Sequence, residues 1–154
     1  MKVIKPPHPI TKDWENNKKI FLAGSIEMGI AEDWQTKITQ ELSLYDVTIL
    51  NPRRVNWDSS WEQTIENSQF YQQVNWELHS LEICDIIVMY FSPETKSPIS
   101  LLELGLFAKS NKLIVCCPDG FWRKGNVDIV CEKYSIPNFD SMDKLLTFVK
   151  QKIK

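Results

Sequence analysis

The sequence lacks the signatures on which several large classes of protein depend. Its five glycines form neither the GxGxxG nor the GxxxxGKS/T pattern, so a dinucleotide site and a P-loop are both disfavoured. Its two histidines, His8 and His79, are far apart and lack the spacing of metal ligands, and no GxSxG elbow occurs. No apolar run approaches the ~18 residues of a membrane-spanning helix. No metal or cofactor is therefore predicted.

Charge and cysteine content exclude further classes. The formal net charge is −2 with both signs interspersed, which gives no electrostatic footprint for nucleic acid or an acidic membrane. The four cysteines form no CxxC pattern, and we interpret them as buried thiols of a cytoplasmic protein. Residues 1–17 are polar and contain prolines, without the apolar core of a signal peptide. The cysteines are Cys84, Cys116, Cys117 and Cys131.

Strand-like and helix-like segments alternate along the chain. Strands are predicted at 18–23, 46–50, 85–91, 112–117 and 134–136. Helices are predicted at 30–44, 70–83, 97–110, 126–132 and 141–153. This order predicts one α/β domain over residues 1–154: a three-layer sandwich of about five mostly parallel strands with helices on both faces, preceded by an extended lead-in at 1–17.

One carboxylate lies in an otherwise apolar helix. Glu103 is surrounded in sequence by leucines, and an apolar helix of this kind is normally buried. Two interpretations are open. Ser100 and Glu103 match the S-x-x-E capping box, which would explain the carboxylate without any function. Alternatively, the helix begins with Ser97 as N-cap and Pro98 as its first residue, which leaves Glu103 with no capping role.

Other polar residues follow the predicted strands, where parallel α/β sheets bind ligands. Arg53 follows a strand end at Asn51 and could hold a phosphate or carboxylate, or form only a surface ion pair. Trp57 and Asp58 lie in an aromatic loop and could contact a substrate. Glu77 is either a solvated helix-face charge or a second carboxylate that partners Glu103 as acid or base. We assign Asp85 a structural role.

Five segments, in this order, resemble the nucleoside 2-deoxyribosyltransferase-like family: IFLAGSI, ILNPRR, QVNWEL, CDIIVMYF and SPISLLELGLFA. The resemblance covers roughly residues 19–126. It implies a flavodoxin-like fold, a homodimer or larger homo-oligomer, and cleavage of the N-glycosidic bond of 2′-deoxynucleosides or their 5′-monophosphates. The sugar would pass to another nucleobase in a transferase, or to water in a hydrolase.

The resemblance also implies roles for individual residues. Glu103 would attack C1′ and form a glycosyl-enzyme, as in a retaining glycosidase. Glu77 would orient the sugar or shuttle a proton to the leaving base. Ser97 matches a serine that contacts phosphate in the monophosphate hydrolases.

Two further matches concern the rim of the site. Gly24, Ser25 and Ile26 would approach the substrate through backbone amides. Asn126 resembles an asparagine that reaches a neighbouring subunit's site.

Ionised Glu103 requires groups that stabilise its negative charge, because apolar burial raises the pKa of a carboxyl. Ser97, Ser100, Tyr90 and the field of the helix N-terminus are the candidate sources. Two other functions remain open on the same fold. One is a non-catalytic nucleotide or nucleotide-sugar sensor. The other is a partner-binding domain with an aromatic wall of Trp57, Trp61 and Trp76.

Overall fold

The computed structural model describes residues 1–10, 17–26 and 33–154. Its strands are β1 (Lys2–Ile4), β2 (Lys18–Gly24), β3 (Val47–Leu50), β4 (Ile86–Tyr90), β5 (Leu113–Cys116) and β6 (Asn138–Phe139). Its helices are α1 (Trp34–Glu41), α2 (Ser68–Ile83), α3 (Pro98–Phe107), α4 (Lys124–Lys133) and α5 (Met142–Lys152). The first part of the helix predicted at 30–44 lies outside the described residues.

All six strands are parallel, in the order β1-β3-β2-β4-β5-β6. Without β1 this is the flavodoxin-like order, in which the chain winds first to one side of β2 and then to the other. The reversal lies between β2 and β4. In open α/β sheets a ligand crevice forms at this point, outside the carboxyl ends of the two strands.

Residues along each strand alternate between two buried layers. Ile20 and Leu22 pack with α1 and α5 on one face of the sheet. Phe21 and Ala23 pack with α2, α3 and α4 on the other. The predicted three-layer α/β sandwich is confirmed, and near-continuous apolar strands are what a sheet covered on both faces requires.

Two details of the sequence prediction are wrong. Residues Lys2–Ile4 are not lead-in but an edge strand paired with β3, so the sheet has six strands rather than about five. The last strand is Asn138–Phe139 and not 134–136, because Ser135 adopts a left-handed φ of +55° where the chain leaves α4. Val115 instead donates its backbone N–H to the Pro137 carbonyl, at the start of the β6 pairing.

The helices in the described part of the chain include none with the length and apolarity needed to cross a bilayer. All four cysteines are free and buried.

Candidate active site

The carboxyl ends of β2 and β4 meet through backbone contacts that only glycine permits. Gly24 ends β2 with a φ of +133°, and a Cβ placed there would lie 2.2 Å from the Tyr90 carbonyl oxygen. The Ser25 N–H donates to the same oxygen over 3.0 Å. The Ser25 amide is therefore already engaged within the sheet, and an approach of substrate to this turn stays a prediction. Ile26, the third residue of this turn, is half-buried.

We expect Gly24→Ala to lower the free energy of unfolding by at least about 2 kcal/mol, because the methyl group would separate β2 from β4 and the residue would hold a strained φ. Gly105→Ala is the matched control. Gly105 is exposed in α3 with nothing within 4 Å of an added Cβ, so its replacement should be neutral or stabilising. Urea unfolding measures both, and equal midpoints for the two variants would contradict the prediction.

Three buried hydroxyls form a hydrogen-bonded triangle at this edge. The Ser25 Oγ lies 2.8 Å from Thr95 Oγ1 and 2.6 Å from Ser97 Oγ, and the last two lie 2.7 Å apart. The Ser92 N–H also donates to Ser25 Oγ. The triangle fixes the loop between β4 and α3, and the Ser97 hydroxyl is engaged in it rather than directed at Glu103. A phosphate contact by Ser97 stays a prediction.

Trp34 supports the triangle from the opposite face of the sheet. Its indole N–H donates to the Ser25 carbonyl over 2.9 Å, and its ring packs against Tyr90 at 5.6 Å between centroids. The start of α1 is thereby fixed beneath the turn after β2.

Helix α3 begins at the end of this loop and excludes the capping box. Ser97 is its N-cap with a left-handed φ of +46°, and Pro98 is its first residue. Ser100 therefore lies inside the helix and is buried, and Glu103 is the sixth helical residue. At almost two turns from the N-terminus, Glu103 gains little from the helix dipole, which acts within the first turn.

Glu103 is 8% exposed, and its carboxyl lies under the influence of Glu77 on α2. Burial raises the pKa of Glu103 to about 8, and the neighbouring Glu77 adds to the rise. Within the described residues, burial and Glu77 are the influences on this pKa, and stabilisation of ionised Glu103 by the donors expected from the sequence stays a prediction. Burial likewise raises the pKa of Glu77 to about 7, although a hydrogen bond from Gln73 opposes the shift.

The buried carboxyl of Glu103 and the half-buried carboxyl of Glu77, both with raised pKa values, resemble the acid–base pairs of glycosidases and proteases. Since each disfavours ionisation of the other, the pair retains a proton near neutral pH. One group can then act as a nucleophile or base while the other supplies a proton. The structure thus brings together the two predicted catalytic residues on neighbouring helices.

The segment after β3 lies at the same edge of the sheet. The Asn51 side chain is buried and accepts a hydrogen bond from the Arg53 N–H over 2.9 Å, so it shapes the turn. The Arg53 guanidinium lies 3.6 Å from the Asp33 carboxylate at the start of α1. Both side chains are partly exposed, and Arg53 keeps donors for an anion.

The three tryptophans predicted to form an aromatic wall lie in two separate places. Trp57 and Trp61 pack edge to face at 5.1 Å, with the Arg54 guanidinium 5.0 Å from the Trp61 ring. Trp76 is instead buried in the core, where its N–H donates to the His8 carbonyl. Asp58 is exposed and its carboxylate accepts two hydrogen bonds from Ser60, so it stabilises its own turn.

The remaining predictions fall elsewhere on the molecule. Asn126 is exposed on α4, beside a groove of about 340 Å³ between α3 and α4. Asp85 lies at the opposite, amino edge, where it accepts the Lys19 N–H over 2.7 Å and has the structural role assigned to it. A surface depression of about 360 Å³ also lies at that amino edge, away from Glu103.

Sequence reasoning missed two residues of the site. Gln73 lies four residues before Glu77, so the helical i, i+4 spacing could have indicated their contact. Thr95 completes the hydroxyl triangle, and no sequence pattern indicated its part. Among the described residues, no group of His, Cys, Asp and Glu side chains has an arrangement suited to a metal ion.

Comparisons with known proteins agree with this arrangement. A family model described as "Nucleoside 2-deoxyribosyltransferase like" matches residues 17–121, more than half of the chain. A search of curated proteins gave no significant match. A solved structure titled "Crystal structure of conserved protein from Enterococcus faecalis V583" is similar with a TM-score of 0.64 and 13% identity, over 88% of this chain and 99% of that one. At this identity the likeness extends to the fold alone.

Proposed function

The chain belongs to the nucleoside 2-deoxyribosyltransferase-like family, and from this premise we propose that it cleaves the N-glycosidic bond of 2′-deoxynucleosides or their 5′-monophosphates. Glu103 would form a covalent deoxyribosyl ester, and the sugar would then pass to another nucleobase or to water. Membership of the family supports a role in glycosyl transfer or hydrolysis. The covalent step and the substrate are our proposals.

The pairing of buried Glu103 with half-buried Glu77 is the observation that carries this proposal. A carboxyl that served only to cap a helix would lie in the first turn and be solvated, whereas Glu103 is almost two turns in and 8% exposed. Burying this carboxyl lowers stability at neutral pH, and a role in a reaction would explain why it is retained. Its position beside the β2–β4 reversal is where this fold class binds ligands.

In the first step, a Glu103 carboxylate oxygen forms a bond to C1′ while the bond from C1′ to the base nitrogen breaks. The electron pair of the broken bond remains on the base, which takes a proton from the Glu77 carboxyl. In the second step, water or a second base attacks C1′ and releases Glu103. Glu77 accepts the proton of the attacking group, and two inversions give overall retention.

This sequence of steps requires one proton on the carboxyl pair. Positive charge developing at C1′ favours ionised Glu103, and negative charge developing on the base favours protonated Glu77. Substrate therefore directs the shared proton to Glu77. Arg53 is the residue that we propose for a 5′-phosphate, with the amides at the start of α3 as further donors.

Chromatography of 2′-deoxynucleosides and their 5′-monophosphates, incubated with and without a second free base, tests the proposal. Exchange of the base identifies a transferase. Free base together with deoxyribose or its phosphate identifies a hydrolase. No change in any substrate, combined with thermal stabilisation by a nucleotide, would overturn catalysis and favour a sensor.

We also propose that the protein assembles as a homodimer or larger homo-oligomer through α3 and α4. Ile99, Leu102 and Leu106 form one outward stripe of α3, and each is about 60% exposed in the single chain. Exposed apolar surface of this kind is typical of an interface, and a two-fold axis would place the same stripe on both subunits. Asn126 borders this face, as a residue that completes a partner's site would.

The double variant Leu102→Lys, Leu106→Lys is expected to be monomeric, because like charges would meet across the two-fold axis. Leu44→Lys is the control, since Leu44 is 97% exposed in the turn after α1, a helix on the opposite face of the sheet. Light scattering during size-exclusion chromatography measures the mass. A monomeric unsubstituted protein would contradict the assembly.

A further inference from the structure

The amide of Gln73 connects Glu77 to the segment after β3. Gln73 is 4% exposed on α2. Its Nε2 donates to the Glu77 Oε1 over 2.7 Å and to the Pro52 carbonyl oxygen over 2.9 Å. Both protons of the amide nitrogen are thus used, one on the proposed acid and one on the turn that carries Arg53.

The hydrogen-bond partners determine the orientation of this amide. Both are oxygens, so the opposite orientation would place the Gln73 oxygen against two acceptors. In the observed orientation Oε1 is buried and finds no donor within the described part of the chain. Burying an unsatisfied carbonyl is unfavourable, and a methionine of similar shape would avoid it. The two donated bonds are therefore what this residue contributes.

We propose that Gln73 is a positioning residue of the reaction: it holds the Glu77 carboxyl in place for proton transfer and couples it to the turn that binds the substrate's phosphate. This inference rests on the proposed role of Glu77. It adds a residue that touches neither the sugar nor the base. Because Glu77 must first donate and then accept a proton, it works best with a pKa near neutral, and a donor of this kind opposes the effect of burial.

Within the described residues, few other groups act on Glu77. Glu103 faces it from α3, Gln73 contacts it from one turn earlier on α2, and the Pro52 carbonyl approaches Gln73 from the turn after β3. Loss of the Gln73 donor would leave burial and Glu103 to act alone, and both disfavour ionised Glu77.

Replacement of Gln73 by methionine tests the proposal through the pH dependence of kcat/KM. We expect kcat/KM to fall about 10- to 100-fold, and both limbs of its pH profile to move to higher pH by about 0.5 to 1 unit. Gln69→Met is the matched control, because Gln69 is exposed on the same helix one turn earlier. If kcat/KM instead falls equally at every pH and the limbs of its pH profile stay in place, Gln73 has only a structural role and the proposal is overturned.

Carbon-13 NMR of glutamate-labelled protein provides a test that does not depend on turnover. The Glu77 carboxyl signal, assigned by its absence in Glu77→Gln, should titrate at higher pH in Gln73→Met. In Gln73→Glu, which adds a like charge and removes both donors, it should titrate higher still. An unmoved Glu77 titration in folded variants would overturn the role of Gln73 even in an active enzyme. If the Glu77 pKa rises in these variants but the unsubstituted protein turns over no substrate, the Gln73–Glu77 contact is confirmed and the proposed function is rejected.

Discussion

Glu103→Ala is expected to reduce turnover of the deoxynucleoside substrate by on the order of 10⁴-fold or more, with the fold retained. Without the carboxylate the proposed nucleophile is lost, and water cannot take its place on the same face at a comparable rate. The measurement is single-turnover release of base. The effect should fall on the chemical step and leave substrate binding within a few fold of the original.

Rescue by azide distinguishes loss of the nucleophile in Glu103→Ala from misfolding of the variant. A small anion fits the space vacated by the side chain and can attack C1′, so azide should restore base release by Glu103→Ala and yield a deoxyribosyl azide. Glu132→Gln is the control for general effects of removing a carboxylate, because Glu132 is exposed on α4. Retention of most of the activity by Glu103→Ala would show that Glu103 is not the nucleophile.

The layer arrangement could be predicted because it depends on local patterns. Apolar runs such as Ile86–Tyr90 allow few alternatives to a strand buried on both faces, and the α/β alternation then requires parallel pairing. Segment ends were harder to place. The edge strand Lys2–Ile4 is only three residues long, and its pairing with β3 is a contact distant in sequence that no local pattern contains.

Residues of the site could be predicted only where their chemistry was unusual for their sequence context or where they matched a family motif. Glu103 stood out because a carboxylate in an apolar helix is unusual, but the choice between cap and buried acid required the position of Pro98 in the folded chain. Gln73 and Thr95 are ordinary polar residues in sequence. Their importance comes from what lies opposite them: Pro52 is 21 residues from Gln73, and Ser25 is 70 residues from Thr95.

The second large effect concerns stability. Glu103→Gln should raise the free energy of unfolding at pH 8 by on the order of 4 kcal/mol, and by almost nothing at pH 4. The pKa of Glu103 in the folded protein is raised from 4.5 to about 8, mainly by burial and further by Glu77. Below pH 4.5 the carboxyl is neutral in both states. Between these values the unfolded chain ionises while the folded protein retains its proton, so stability is lost as pH rises.

Glutamine fills the same volume without a titrating group, so its advantage over Glu103 should grow through this pH window and level off above about pH 8. Urea unfolding at several pH values measures the difference, and Glu132→Gln should change stability by less than about 0.5 kcal/mol throughout. A difference that is independent of pH would mean that Glu103 is solvated. A variant that is inactive yet more stable at pH 8 would instead show that the chain retains this carboxyl for its chemistry at a cost in stability, as expected of a nucleophile and not of a helix cap.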